Sequence, residues 1–115
     1  MNKPEVKRYY YSDGSVESEH HYLDDKKHNE NGPAAVYYRK DGSIEVEYHY
    51  LDDKRHNENG PATVSYCEDS NIKGEFYYLN GKLLTKAEFE SEIYSKLLEV
   101  INEQNNSWKK LLFRW

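Results

Sequence analysis

The heptapeptide HNENGPA stands at residues 28–34 and again, unchanged, at 56–62. Around it, residues 9–36 (YYYSDGSVESEHHYLDDKKHNENGPAAV) align without a gap on residues 37–64 (YYRKDGSIEVEYHYLDDKRHNENGPATV), matching at 21 of 28 positions. A 28-residue period constrains the fold more than any other feature, because such a chain is expected to stack copies of one supersecondary unit. A third, degenerate copy follows over 65–84, in which Tyr66, Asp69, Ile72, Glu75, Tyr78, Leu79 and Lys82 keep register.

Each copy reads as a β-hairpin. In the second, two β-rich runs flank Lys40-Asp41-Gly42, and Asp followed by Gly between such runs is a hairpin signal. Burial selects the turn, since a slip of one residue turns a strand over. A two-residue loop pairs Tyr38 with Glu45 and Val36 with Glu47. A three-residue loop with Gly42 in the left-handed bulge position pairs Tyr38 with Ile44 and Val36 with Val46, and is the one expected. It gathers Val36, Tyr38, Ile44, Val46, Tyr48 and Tyr50 on an apolar face, leaving Tyr37, Arg39, Glu45, Glu47 and His49 opposite. The third copy supplies Val64, Tyr66, Ile72, Phe76 and Tyr78 to the apolar face, and the first supplies Tyr10, Val16 and Tyr22, with Ser18 and His20 interposed.

The expected architecture is α+β and a single domain over 1–115: a meander of about six antiparallel strands, in hairpins at 9–36, 37–64 and 65–84, then a helical segment at 85–115. Thr85 and Glu88 form a capping box. Phe89, Ile93, Leu97, Val100, Ile101 and Gln104 follow at helical spacing. Asn105-Asn106 is read as an interruption, after which Ser107 caps a second short helix carrying Trp108, Leu111, Leu112 and Trp115 on one side. These helices are expected to cover the apolar sheet face.

Composition supports a thin, ordered fold. Hydrophobic residues make up 37% of the chain and charged residues 32%, and twelve of the former are tyrosines, which favour half-buried positions. Residues 1–106 hold 13 Lys/Arg against 21 Asp/Glu, whereas 107–115 hold three cations and no acid. The acidic body argues against nucleic-acid binding. With one cysteine, Cys67, and no apolar leader in MNKPEVKRYYY, a cytoplasmic location is expected.

The units resemble the MORN-like β-hairpin repeats of bacterial, phage and giant-virus proteins. The resemblance covers residues 9–82 and is carried by the Tyr-rich strands, the "DGS" turn, "YLDDKRH" and "NGPA". It implies a repeat scaffold with an interaction role, including inhibition of a host defence protein from within the host cytoplasm, and brings no catalytic residues.

The residues themselves point the same way. There is no Gly-rich phosphate loop, GxSxG or HExxH, and neither a catalytic residue nor a cofactor is expected. His28 and Glu30, with His56 and Glu58, offer at most two metal ligands per copy, short of the three or four that a site needs. Asn31-Gly32-Pro33 reads as a joint between hairpins. Lys26, Lys27 and His28, with Lys54, Arg55 and His56, form a repeated anion-binding candidate for a small ligand or nucleotide. The leading expectation is a non-enzymatic module that binds a protein partner through Tyr37, Arg39, Glu45, Glu47 and His49 and their counterparts Tyr9, Tyr11, Glu17, Glu19 and His21. Trp108 and Trp115 are further partner contacts, and edge strands or the Trp-rich tail offer a route to a homo-oligomer.

Overall fold

The computed structural model describes the backbone of residues 3–112 and the side chains of residues 3–105. It is an antiparallel meander followed by one helix, an α+β arrangement. The strands are β1 (Pro4–Tyr10), β2 (Val16–Leu23), β3 (Lys26–Lys27), β4 (Ala35–Tyr38), β5 (Ile44–Tyr48), β6 (Tyr50–Leu51), β7 (Lys54–Arg55), β8 (Thr63–Tyr66), β9 (Ile72–Leu79) and β10 (Lys82–Leu84), and the helix is α1 (Lys86–Leu112). One sheet runs β1-β2-β4-β5-β8-β9-β10 with β3 paired to β2, while β6 and β7 form a separate ladder.

Ten strands replace the expected six because a second kind of turn follows each long hairpin. Asp24 and Asp25 have φ of 50° and 66°, Asp52 and Asp53 48° and 67°, and Asn80 and Gly81 51° and 84°. Two consecutive left-handed residues make the two-residue hairpin whose twist matches its strands. These turns fold the chain back as β3, β7 and β10. His49 breaks the second long strand into β5 and β6.

The Asp-Gly turn is the expected three-residue loop. Gly42, at φ 89°, donates to the Arg39 carbonyl at 2.9 Å, and the Arg39 N–H donates to the Ser43 carbonyl at 2.8 Å. Asp41 accepts from the Ser43 N–H at 2.8 Å and from its hydroxyl at 2.6 Å, bonds that hold the carboxyl below its ordinary pKa. Asp13 and Ser15 repeat this.

Beyond the turn the expected faces are wrong. Tyr38 does pair with Ile44, but the register then shifts, so that Tyr37 meets Val46 and Val36 meets Glu47. Glu45 is left over as a bulged residue. Glu17 and Lys73 are passed over in the same way in β2 and β9. One extra residue exchanges the faces of everything beyond it. The first face therefore carries Tyr9, Ser18, Tyr37, Val46 and Ser65 in one row and Lys7, His20, Ala35, Tyr48, Thr63 and Phe76 in the next. The second carries the row Arg8, Glu19, Val36, Glu47, Val64 and Glu75. Tyr37 and Glu47, expected side by side, lie on opposite faces.

The helix also departs from expectation. It runs unbroken through Asn105-Asn106 to Leu112, since asparagine costs a propagating helix only about 0.7 kcal/mol against alanine. The capping box forms as read: the Glu88 N–H donates to Thr85 Oγ1 at 3.1 Å and the Thr85 N–H to the Glu88 carboxylate at 2.9 Å. The helix does not lie over the sheet. Phe89 is buried against Leu79 and Leu84, with Tyr77 and Ile93 beside them, and this cluster at the β9–β10 end is its anchorage. The result is long and thin, 72 × 37 × 20 Å, with a radius of gyration of 19.1 Å, against about 13 Å for a compact domain of this length.

The two turn types respond oppositely to substitution. Gly42→Ala, which puts a side chain at φ 89°, is expected to cost about 1–2 kcal/mol. Asp25→Gly, at φ 66°, is expected to gain up to about 1 kcal/mol. Urea midpoints measured on the two variants check both signs.

Candidate functional site

The first face is paved with rings. Tyr9 meets His20 edge-on with centroids 5.6 Å apart, His20 meets Tyr37 at 5.4 Å, and Tyr37 meets Tyr48 at 5.9 Å, with interplanar angles of 80–86°. Tyr50 continues the run at 6.2 Å from Tyr48. Small neighbours make room: Ser18 lies between Tyr9 and Tyr37, and Ala35 between His20 and Tyr48. Each edge-to-face contact contributes about 0.5–1.5 kcal/mol beyond simple burial. The rings thus do part of the work of the missing second layer.

Cations lie over these rings. Lys7 Nζ is 5.2 Å from the centre of Tyr22, and Lys27 Nζ is 5.2 Å from that of Tyr50. The Arg55 guanidinium is 4.9 Å from Tyr48 and 5.3 Å from Tyr78, and it donates to the Tyr78 hydroxyl at 3.1 Å. None of the three is in an ion pair among the described residues. Their charge is held by ring faces and water rather than neutralised.

The second face is acidic and internally paired. Glu19 accepts from Arg8 Nε at 2.8 Å and faces His21 Nε2 at 3.0 Å, and the Arg8 bond holds its carboxyl low. Glu47 accepts from the Tyr66 hydroxyl, and chiefly through that bond the phenol is pushed up to about 12. Tyr11 and Arg39 act as braces 28 residues apart: the Tyr11 hydroxyl donates to the Tyr38 carbonyl at 2.6 Å, and Arg39 to the Tyr66 carbonyl at 2.6 Å and the Ile44 carbonyl at 3.0 Å. Glu17 and Glu45 sit exposed at bulges. His49 is half-buried at the β5–β6 break, and burial lowers its pKa.

HNENGPA clasps each hairpin to the next. The Asp52 N–H donates to His28 Nδ1 at 3.1 Å, the Asn29 N–H to the Tyr50 carbonyl at 3.2 Å, and the Asp53 N–H to the Lys27 carbonyl at 2.9 Å. The second copy repeats all three: Asn80 N–H to His56 Nδ1 at 2.9 Å, Asn57 N–H to Tyr78 at 3.2 Å, Gly81 N–H to Arg55 at 2.8 Å. Within each loop the Asn29 and Asn57 amides donate to the Pro33 and Pro61 carbonyls, both at 3.1 Å. On the far side of each ring, Nε2 lies 3.4 Å from Glu30 in His28 and 3.5 Å from Glu58 in His56.

These contacts pull the anion-binding candidates apart. His28 and His56 are spent in the joints, Lys27 and Arg55 lie on the ring face, and Lys26 and Lys54 are exposed beside the turns. Among the described residues no group of three or more His, Cys, Asp and Glu is placed to hold a metal ion. No helix is long and apolar enough to cross a membrane among them. Of the tail residues, Trp115 and the side chain of Trp108 lie outside the described residues.

Among the residues expected to bind a partner, the aromatic face includes Tyr9 and Tyr37. Sequence reasoning left out Lys7, and assigned Tyr22, Tyr48, Tyr50 and Tyr78 to a buried side with His20 interposed among them. One available signal was the spacing of Tyr22, Tyr50 and Tyr78, with Lys27 and Arg55 recurring on the same period. No family model, curated protein or solved structure matches the chain.

The joint predicts a local loss. His56 is 8% exposed, and His56→Ala leaves the Asn80 N–H without its acceptor. A cost of about 1–3 kcal/mol follows, with faster hydrogen exchange at the Asn80 amide and little change at Gly42.

His20 predicts an acid sensitivity. Burial pushes its imidazole below the ordinary 6.5, with Lys27 and His21 adding to the shift, and its Nδ1 is buried without a partner. Below pH 6.5 the unfolded chain takes up more protons than the folded one, so stability present above that pH is lost as pH falls. The lowered His49 acts in the same direction. Denaturant midpoints should fall between pH 7 and 5.5, and His20→Phe, which places at 20 the residue found at 76, should flatten part of that fall.

Proposed function

We propose that the chain is a non-enzymatic protein-binding module, a tandem array of 28-residue hairpin units of the MORN-like type. Its recognition surface is the ring-and-cation face built from Tyr9, His20, Tyr37, Tyr48, Tyr50 and Tyr78 with Lys7, Lys27 and Arg55. One observation carries this reading: Lys27 and Arg55 lie on a continuous aromatic run, and Lys7 on Tyr22 of the same face, in a sheet that has no second layer over that face among the described residues. Tyrosine offers contact area at low entropic cost, and a guanidinium or ammonium already resting on a ring loses little freedom on meeting a carboxylate.

The partner this face fits is acidic. The opposite face repels such a partner, because Glu19, Glu47 and Glu75 line one row of it. The chain's net charge of −5 conceals this sorting, which gives the module a preferred side. Inhibition of a host defence protein is one role such a module serves.

Partner capture from a lysate of the source or host cell, repeated with face variants, tests the proposal. Lys7→Glu with Arg55→Glu is expected to weaken the recovered complex about 30-fold or more, as loss of central anchors does. Glu47→Gln with Glu75→Gln is expected to leave it within about threefold. Equal losses from the two faces, or none from the first, reject the assignment.

A further inference from the structure

Beyond its first turns, α1 shows solvent a stripe that water does not favour. Tyr94 is 63% exposed, Leu97 57%, Val100 51% and Ile101 51%, with Leu98 beside them at 41%. Tyr94, Leu97 and Ile101 fall at successive spacings of three and four residues, the pattern of a two-helix seam. Only Phe89 and Ile93 reach the sheet's own cluster. Lys96 also donates to Glu58 at 3.1 Å, and about 25 Å of helix lies beyond that contact, at 1.5 Å per residue. A segment so rich in Asn and β-branched residues is marginal as a lone helix in water.

Charge along α1 indicates what covers the stripe. Residues 86–105 carry Lys86 and Lys96 against Glu88, Glu90, Glu92, Glu99 and Glu103, a net −3, while the remaining helical residues, 106–112, carry Lys109 and Lys110, a net +2. A second copy of the helix laid parallel would set acid on acid and base on base. Laid antiparallel, it sets each acidic half beside the other's basic end and opposes the two helix dipoles favourably. A two-fold axis near Ile101 brings Glu92 of one copy level with Lys110 of the other and leaves a single acidic pairing, Glu99 with Glu103, beside the axis.

We infer that α1 is a homodimerisation element, pairing antiparallel with α1 of a second copy through Tyr94, Leu97 and Ile101. The dimer carries two sheets at opposite ends of a helical pair and presents two recognition faces. Bivalent display multiplies apparent affinity for a clustered partner. The inference rests on the helix alone and stands whether or not the sheet face binds as proposed.

Sedimentation equilibrium on the full chain tests it, with a mass of twice 13.7 kDa expected at micromolar concentration. Leu97→Glu with Ile101→Glu should return the mass to one copy, while the thermal transition of the sheet, followed by tyrosine absorbance, stays in place. Lys109→Glu with Lys110→Glu should weaken association roughly tenfold, through the loss of several exposed pairs. Adding Glu90→Lys and Glu92→Lys to that variant should restore it, which only an antiparallel pair allows. A monomeric wild type, a dimer untouched by Leu97→Glu/Ile101→Glu, or charge reversals without effect would each overturn the inference. So would a chain that is monomeric alone and joins only a foreign partner through α1.

Discussion

The bond from a backbone N–H to an imidazole nitrogen, Asp52 to His28 and Asn80 to His56, is the constraint on which the extended structure depends. A two-residue turn at a sheet edge is held only by its own short ladder. Here the loop of each hairpin reaches over the next turn and takes the amide that points outward. The same three bonds recur 28 residues on, so the stacking direction is set by local chemistry rather than by a shared core. That suits a composition without enough large aliphatics to fill one.

The chain compensates for its missing second layer in two ways. Ala34, Ala35, Val36, Ala62 and Val64 are buried, so small side chains suffice at the centre. On the ring face the aromatics shield one another edge to face, and the charged heads of Lys7, Lys27 and Arg55 lie over Tyr22, Tyr50, Tyr48 and Tyr78. A side chain that stabilises the sheet in this way stays available to a partner. The residues that stabilise the sheet are therefore those of the proposed recognition face, and His20, buried with an unpartnered Nδ1, links the stability of that face to pH.

Much of the fold was legible. The Asp-Gly turn with Gly42 left-handed, the Thr85–Glu88 cap and the joint role of HNENGPA all follow from local rules acting within a few residues. The two-residue turns were also within reach, since Asn80-Gly81 in the third copy is the strongest such signal and aligns with Asp24-Asp25 and Asp52-Asp53. The candidate site was less legible. Of its rings, Tyr9 and Tyr37 stood on the expected partner face, whereas Tyr48 and Tyr50 stood on the face expected to be buried.

The reason lies in Glu17, Glu45 and Lys73. A bulge one step past a correctly read turn leaves the closing pair unchanged and exchanges the faces beyond it. Hydrophobic alternation then favours the wrong partition, since the unbulged register unites Val36 with Val46. The sequence by itself determined the turns, the joints and where the helix begins. Tertiary structure decided which face each side chain joins and where the helix lies, because each bulged strand, β2, β5 and β9, pairs on both sides and must accommodate the sheet's twist. That is a property of three neighbouring strands together, which the order of residues along one of them does not contain.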